Sequence, residues 1–589
     1  MNGSAASRSP LPLPRSVAAG QGTVALHDGS RMHVAPQLRP AARAWARDAA
    51  EAHGVDLVLS DEVDAPVVLL LDPVLPAGGY TLTTARTGTR VSVAAGDLAG
   101  AFAAVQTLRQ LAGPDAFRRG PVRRAGRLEL PVVTIEDAPR FAWRGVLLDV
   151  ARHFLPKADV LRFVDLAAAH HLNVVHLHLT DDQGWRVEVD AFPRLTEVGA
   201  WRPATQVGAW RFPNLDGRPH GGFYTKDDLR EIVAYARSRG VEIMPEVDVP
   251  GHVEAAIAAY PELGVSKQPH AVRTTWGIST QVLDPCEATL AFFRTVVDEL
   301  VEVFDGPWFG LGGDEVPPHL WREAPHVVAQ AEALGLGSVD ELHGWFLGRL
   351  AEHVLARGRR PVVWDEGVSP HLPREAVVTS WRGFAAGVRA TQAGHDVVMA
   401  PEQVVYLDHR ASERDDEPVP VGFSRTVEDV YAFDPLPADV LERTGPVGPG
   451  RVLGVQACLW SEHLPDARRR DYAAFPRLAA FAEVAWSPVV DRSPGSPAQG
   501  EFLARLTDAH LPRLAAAGVE HRPLDGPLPW QQLPGVPGWP VDLAATLAAA
   551  GPEGHVGGWH EGNEHGDAGV VAPEDAPADV PAGAPGGAP

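Results

Sequence analysis

The sequence predicts an α/β protein: a (β/α)8 TIM barrel preceded by a small α+β domain. Three observations lead there. From residue 144 onward, short apolar runs recur with helical or long-loop segments between them. Almost every one of those runs ends in a carboxylate or a tryptophan. Before residue 137 the rhythm is different, with alternating strands and one amphipathic helix. A chain of 589 residues with 45% hydrophobic content suits more than one domain and can bury sizeable cores.

Residues 1–21 carry Arg8 and Arg15, but prolines interrupt the leucines. They predict a flexible start without a secretory signal or a membrane span, and hence a cytoplasmic protein. Residues 22–137 form the α+β domain. The run over 65–71 predicts a buried strand. Gly79-Tyr-Thr-Leu-Thr-Thr alternates, turns at Gly88 and resumes at Thr89 as a hairpin partner. Asp97 caps a helix through Leu111, with Ala101, Val105, Leu108 and Leu111 on one face.

The barrel occupies 138–490. Its strands are predicted over 146–150, 173–179, 241–246, 307–311, 361–364, 376–380, 396–400 and 452–457, with helices over 157–170, 226–239, 287–304 and 339–356. Residues 491–547 carry an amphipathic helix over 501–516 and loops that pack on the barrel. Residues 548–589 are rich in Gly, Pro, Ala and acidic residues and predict a disordered tail. His555, His560 and His565 fall in that tail, where no core holds them as ligands.

The strand ends carry the chemistry. The fourth strand runs into Gly312-Gly-Asp-Glu, and a Gly-Gly turn throws the following side chains out at the carboxyl end. In a barrel of parallel strands that end holds the active site. Asp149, Arg152 and His153 follow the first strand, Asp181 the second, and Glu246, Asp248 and His252 the third. Trp364, Asp365 and Glu366 close the fifth, Trp381 and Arg382 the sixth, Tyr406 and Asp408 the seventh, Trp460 and Glu462 the eighth. Core packing does not explain so many carboxylates, because Asp and Glu are rarely buried unpaired. Aromatics with carboxylates suit a sugar, whose CH faces stack on indoles while its hydroxyls bond carboxylates. The charge balance, 52 basic against 75 acidic residues for a net of −23, opposes nucleic acid and anionic membrane as partners. Two cysteines, Cys286 and Cys458, make no disulfide framework and fit a reducing compartment.

The motifs resemble those of the glycoside hydrolase family 20 β-N-acetylhexosaminidases over roughly residues 60–490. They are Arg144-Gly-Val-Leu-Leu-Asp-Val-Ala-Arg-His-Phe, His176-Leu-His-Leu-Thr-Asp-Asp-Gln-Gly-Trp-Arg, Pro245-Glu-Val-Asp-Val-Pro-Gly-His, Gly312-Gly-Asp-Glu, Trp364-Asp-Glu, Tyr406-Leu-Asp and Trp460-Ser-Glu. The resemblance implies an exo-acting, retaining enzyme that removes terminal β-linked N-acetylhexosamine from an oligosaccharide or glycoconjugate, with no metal or cofactor. It implies Glu315 as general acid and Asp314 as the group orienting the substrate's own 2-acetamido nucleophile. Tyr406 would bond the acetamido group, and Trp364, Trp381 and Trp460 would wall its pocket. Arg144, Asp408 and Glu462 would bind ring hydroxyls, with Asp181 supporting Arg144 and His252 supporting Glu315. Substrate assistance also answers a geometric difficulty, since two-carboxylate retaining enzymes hold their pair about 5–5.5 Å apart across the bond, an awkward task for adjacent residues.

Two other chemistries compete. His176 and His178 share one face of a strand, as in barrels that begin a metal site with HxH, although no further histidine cluster follows at later strand ends. A sugar-binding barrel without catalysis has no reason to keep an acid. Two departures from the family pattern stand out. Gly310 replaces the usual histidine, which predicts a lost or replaced hydrogen bond. The loop after Tyr406-Leu-Asp lacks the tryptophan often found there, Phe423 being the aromatic between Asp408 and Tyr431.

Overall fold

The computed structural model describes residues 8–85, 90–122, 126–550 and 556–557. Its amino-terminal domain is one sheet of seven strands: Ser16–His27 (β1), Ser30–Val34 (β2), Leu57–Ser60 (β3), Val67–Leu71 (β4), Tyr80–Ala85 (β5), Arg90–Ala95 (β6) and Arg127–Asp137 (β7). The helices Arg39–His53 and Leu98–Leu111 pack on it, and Trp45, Leu82, Val93 and Leu108 share the resulting core. Strands β5 and β6 pair antiparallel, as their alternation predicts, while the turn at Gly88 lies outside the described residues. Asp97 caps its helix by accepting from the Gly100 N–H at 2.8 Å.

The amino terminus departs from expectation. Strand β1 begins inside the stretch predicted to be flexible and pairs along its length with β7. Leu11 is fully buried. Its N–H donates to Gln110 Oε1 at 2.7 Å, and Gln110 Nε2 returns a bond to its carbonyl at 2.8 Å. A proline-interrupted run can be buried once a distant side chain satisfies its backbone, and that partner is not legible locally.

The barrel strands are Trp143–Asp149 (β8), Val174–His178 (β9), Glu242–Glu246 (β10), Trp308–Gly312 (β11), Arg360–Trp364 (β12), Val377–Ser380 (β13), Asp396–Met399 (β14) and Val452–Leu459 (β15). They close in parallel, β15 against β8. Burial on both faces is why they read as continuous apolar runs rather than alternating ones. Every residue of β8 is buried. Toward the amino-terminal ends, Trp143, Val174, Met244, Val362, Val377 and Val398 form an apolar plug. Further along, Gln456 Nε2 meets His176 Nδ1 at 3.0 Å, so the interior turns polar on the way to the mouth.

Beyond the barrel, the helix predicted over 501–516 starts earlier and has three parts: Pro497–Arg505, a π turn at Leu506–His510, and Leu511–Ala516. Pro512 cannot donate to the α ladder, and the wider turn before it absorbs the mismatch. The helix Leu543–Ala549 extends into the region predicted to be disordered, while His555, His560 and His565 lie outside the described residues. Cys286 and Cys458 are both free. Among the described residues no helix is long and apolar enough to cross a membrane.

Candidate active site

A cavity of about 220 Å³ opens at the carboxyl ends of the barrel strands. Arg152, His252, Asp314, Glu315, Trp381, Tyr406, Asp408, Trp460 and Glu462 line it. The volume lies below the roughly 300–1,000 Å³ of drug-sized sites and suits one sugar ring.

The turn after β11 aims its two carboxylates. Gly312 takes φ +65, and a Cβ there would collide with the Asp248 carboxylate. Asp248 Oδ1 accepts the Gly313 N–H at 2.9 Å. Glu315 itself sits at φ +50, a region that costs a non-glycine residue about 1–3 kcal/mol. Its N–H donates to Glu366 Oε1 at 3.2 Å. The strained turn brings both carboxylates to His252, whose Nε2 lies 3.4 Å from Glu315 Oε2 and 3.8 Å from Asp314 Oδ2. On the other side, His252 Nδ1 is 3.4 Å from Asp181 Oδ1. These are ion-pair distances rather than tight hydrogen bonds.

Protonation follows from the neighbours. Burial opposes charge on His252, but Asp181, Glu315 and Asp314 outweigh it and hold the ring well above its ordinary pKa. Asp314 is pushed up to about 6, chiefly by burial, with Glu246 and Glu315 adding to the shift and His252 opposing it. Near neutral pH, Asp314 is therefore mainly an anion beside an imidazolium. Asp408 rises to about 8 through burial and the neighbouring Glu462. Glu462 is raised by burial, with Arg152 opposing.

The arginine in this site is Arg152, and the placement of Arg144 in the sugar pocket is corrected. Arg144 lies near the amino-terminal end of β8, at the opposite end of the barrel. Its Nε donates to His171 O and its Nη1 to Phe141 O, both at 2.7 Å, and its guanidinium stacks 4.9 Å from the Trp486 ring. Trp143 joins the interior plug, so alternation turns Arg144 to the barrel's outer face. Arg152 follows the carboxyl end of the same strand. It bonds Asp181 Oδ2 at 2.9 Å and lies 4.7 Å over the Trp460 ring. Burial works against its charge, yet Asp181, Glu462, Asp149 and Asp314 together hold it firmly cationic. Asp181 thus partners Arg152 and His252, not Arg144.

Three aromatic rings frame one side of the cavity. Trp381 and Tyr406 lie nearly parallel with centroids 6.2 Å apart, and Tyr406 and Trp460 are 6.1 Å apart. Asp365 accepts the Trp381 N–H at 3.0 Å and the Arg382 Nε–H at 2.6 Å, which fixes the Trp381 backbone. Burial raises the Tyr406 phenol well above its ordinary pKa, so it remains an O–H donor. Trp364 is almost fully buried, 5.9 Å from Trp460, and backs that ring rather than standing at the rim.

Gly310 has a steric reason. A Cβ there would lie 2.8 Å from the Glu246 Cβ. Glu246 fills the space, accepting from His178 Nδ1 at 2.7 Å and pairing with His176 Nε2 at 3.2 Å. A histidine contact on this turn comes instead from His343, whose Nε2–H donates to Gly313 O at 2.9 Å. Three His/carboxylate groups have the spacing of metal donors: His178 with Glu246 and Asp248, Asp181 with Asp182 and His252, and Asp248 with His252 and Asp314. Both nitrogens of His178 are already engaged, by Glu246 and by Asp181 at 2.8 Å.

Gln183, which belongs to the motif at the end of the second strand, also lines the cavity, and sequence reasoning missed Trp210, Trp276, Glu402, Trp539 and Val541, which line it too. They come from loops and from the carboxyl-terminal segment, where strand-end position says nothing. Arg152 was recoverable: strand-end position selects it over Arg144.

The chain matches "Glycosyl hydrolase family 20, catalytic domain" over residues 141–489 and "Glycosyl hydrolase family 20, domain 2" over residues 9–138. It is 36% identical over 529 residues to a beta-hexosaminidase of Porphyromonas gingivalis, covering 87% of this chain and 64% of that protein. A Vibrio furnissii beta-hexosaminidase is 34% identical over 482 residues, covering 81% of this chain and 76% of that one. Among solved structures, a Vibrio harveyi GH20 exo beta-N-acetylglucosaminidase in complex with N-acetylglucosamine superposes with a TM-score of 0.75 at 30% identity, covering 88% of this chain and 79% of that one. The GH20 beta-N-acetylhexosaminidase of Streptomyces coelicolor A3(2) gives 0.72 at 30% identity, covering 91% and 99%. The chain belongs to glycosyl hydrolase family 20. It carries the family's catalytic barrel together with its amino-terminal domain, and so is a glycoside hydrolase of the β-N-acetylhexosaminidase type.

Proposed function

We propose that the protein is an exo-acting, retaining β-N-acetylhexosaminidase that cleaves terminal β-linked GlcNAc or GalNAc by substrate-assisted catalysis. The observation that carries the reading is the placement of adjacent Asp314 and Glu315 before an aromatic frame of Trp381, Tyr406 and Trp460. The frame suits a planar acetamido group with an apolar methyl. Asp314 accepts the acetamido N–H and turns its carbonyl oxygen toward the anomeric carbon, while the Tyr406 O–H bonds the same group. Positive charge then develops on the oxazolinium ring beside the Asp314 anion. Glu315 protonates the departing oxygen. His252, kept cationic by Asp181, stabilises the carboxylate that Glu315 becomes, so the proton leaves more readily. The same carboxylate next takes a proton from water that opens the oxazolinium, and two inversions leave the β configuration. Arg152, Asp408 and Glu462 bond ring hydroxyls, and a cavity sized for one ring favours removal of one terminal unit.

The test is hydrolysis of paired aryl β-GlcNAc, β-GalNAc and β-glucoside substrates. Cleavage that requires the N-acetyl group supports the reading. Equal rates on the β-glucoside would overturn it.

A further inference from the structure

A second cavity, of about 300 Å³, lies between the two domains at the amino-terminal end of the barrel. One wall is the helix Leu98–Leu111, whose Ala99, Phe102, Ala103 and Gln106 fall on one stripe. The other wall forms where the chain enters β9, β10 and β11, at Leu172, Val241 and Trp308. Phe102 closes against Gly240, where a Cβ would lie 2.6 Å from the phenyl ring. Between these walls the side chains of Ala99 and Ala103 are too short to fill the space. The plug of Trp143, Met244 and Val362 separates this cavity from the sugar pocket.

Three polar side chains interrupt the apolar lining. Gln106, His171 and Arg144 are only 3%, 5% and 7% exposed. The Gln106 amide oxygen and both ring nitrogens of His171 have no hydrogen-bond partner among the described residues. Burial, with Arg144 and His170 nearby, pushes His171 down to about 3, so its neutral ring offers one N–H and one acceptor. The hydrogen bonds of Arg144 run from Nε and Nη1 to the carbonyls of His171, Phe141 and Ala142. Burial lowers its pKa to about 9 and no neighbouring carboxylate raises it, so it stays a cation without a counter-ion. The indole of Trp486 joins the group, 4.4 Å from the His171 ring and 4.9 Å from the Arg144 guanidinium. The other lining arginines are paired, Arg237 with Asp305 and Arg239 with Asp48 and Asp165. Glu242 also lines the cavity, but its carboxylate turns to Gly306, where a Cβ would collide with it. A buried cation without an anion and buried amides without partners are costly, and one ligand group relieves both.

We propose that this inter-domain cavity binds a small monocarboxylic acid with an apolar body. Its carboxylate takes hydrogen bonds from Arg144, the Gln106 amide and the His171 N–H, and its hydrocarbon lies against Phe102, Val241 and Trp308. The ligand touches both domains, so its binding strengthens their packing. The inference goes beyond the hexosaminidase reading and does not depend on it.

The probe is octanoate, with octan-1-ol as its uncharged counterpart, titrated calorimetrically into the full-length chain and followed by thermal melts. Octanoate should bind once per chain and raise the melting midpoint. Octan-1-ol should bind at least tenfold more weakly, since it forms no charge-assisted bonds. Arg144→Met should weaken octanoate about tenfold and leave octan-1-ol unchanged. Gln106→Leu sacrifices no hydrogen bond of the fold, so it should keep the melting midpoint while weakening octanoate severalfold, and Ala103→Leu should fill the space and weaken both probes. These two variants decide the matter should Arg144→Met fail to fold. Absence of saturable octanoate binding together with a lowered midpoint for Gln106→Leu would mark a cavity that holds water only, and overturns the proposal. Equal affinity for acid and alcohol, binding unmoved by Gln106→Leu and Ala103→Leu, or competition between octanoate and a GlcNAc-thiazoline also overturns it.

Discussion

Replacing each of the two arginines of the first barrel strand by methionine separates their roles. Arg152→Met removes a buried cation from among Asp181, Asp149, Glu462 and Asp314. Hydrogen bonds from a charged donor contribute about 1.5–3 kcal/mol each. Losing two to sugar hydroxyls costs about 3–6 kcal/mol, or roughly 10²–10⁴ in kcat/KM. Arg144→Met keeps the side-chain volume but strips donors from His171 O and Phe141 O. Each buried carbonyl left without a donor costs about 1–3 kcal/mol of stability. With no shared partner at the mouth, kcat/KM should stay within about threefold of wild type. Both variants lower the melting midpoint, because Arg152→Met also removes a buried cation that Asp181, Glu462 and Asp149 face, so stability alone does not distinguish them. The assay is kcat/KM on an aryl β-GlcNAc beside a thermal melt of each variant. If Arg144→Met lost activity as heavily as Arg152→Met with its melting midpoint unchanged, the assignment of Arg152 to the sugar would be refuted.

Glu315→Gln should lower kcat by about 10²–10⁴ on poor leaving groups and by less on activated aryl glycosides, which need little protonation. Equal losses on both would remove Glu315 from the acid role. Asp314→Asn should weaken binding of a GlcNAc-thiazoline, which resembles the charged intermediate; unchanged affinity counts against the orienting role. Glu366 is raised from 4.5 to about 8, chiefly by burial, with Asp314 and Glu315 adding and Arg382 opposing. The folded protein therefore binds one proton more than the unfolded chain between those values, and the wild type loses stability as pH rises through that window. Glu366→Gln keeps the acceptor for the Glu315 N–H but not the titration, so its stability relative to wild type should climb by about 1.4 kcal/mol per pH unit there. Denaturant melts across that range check the slope, and a flat difference would show that Glu366 is ionised throughout.

Much of the fold was legible because its physics is local. Continuous apolar runs mark strands buried on both faces, Asp97 announces its helix, and Gly-Gly before Asp314-Glu315 marks a strand-end turn. The Asp314-Glu315 pair, the inner aromatics and His252 were legible for the same reason, since all follow strands at their carboxyl ends. Arg144 and Arg152 sit in one motif of one strand, and the sequence by itself determined that an arginine belongs to it. Tertiary structure decided which one lines the cavity, because alternation along β8 and the length of the strand send the two guanidiniums to opposite ends of the barrel. It also decided that Glu246 occupies the space beside Gly310, that residues 8–21 are held by Gln110 and β7, and that Trp539 returns to the mouth. Each of these depends on a partner far away in the chain, and long-range pairing leaves no periodicity or spacing to read.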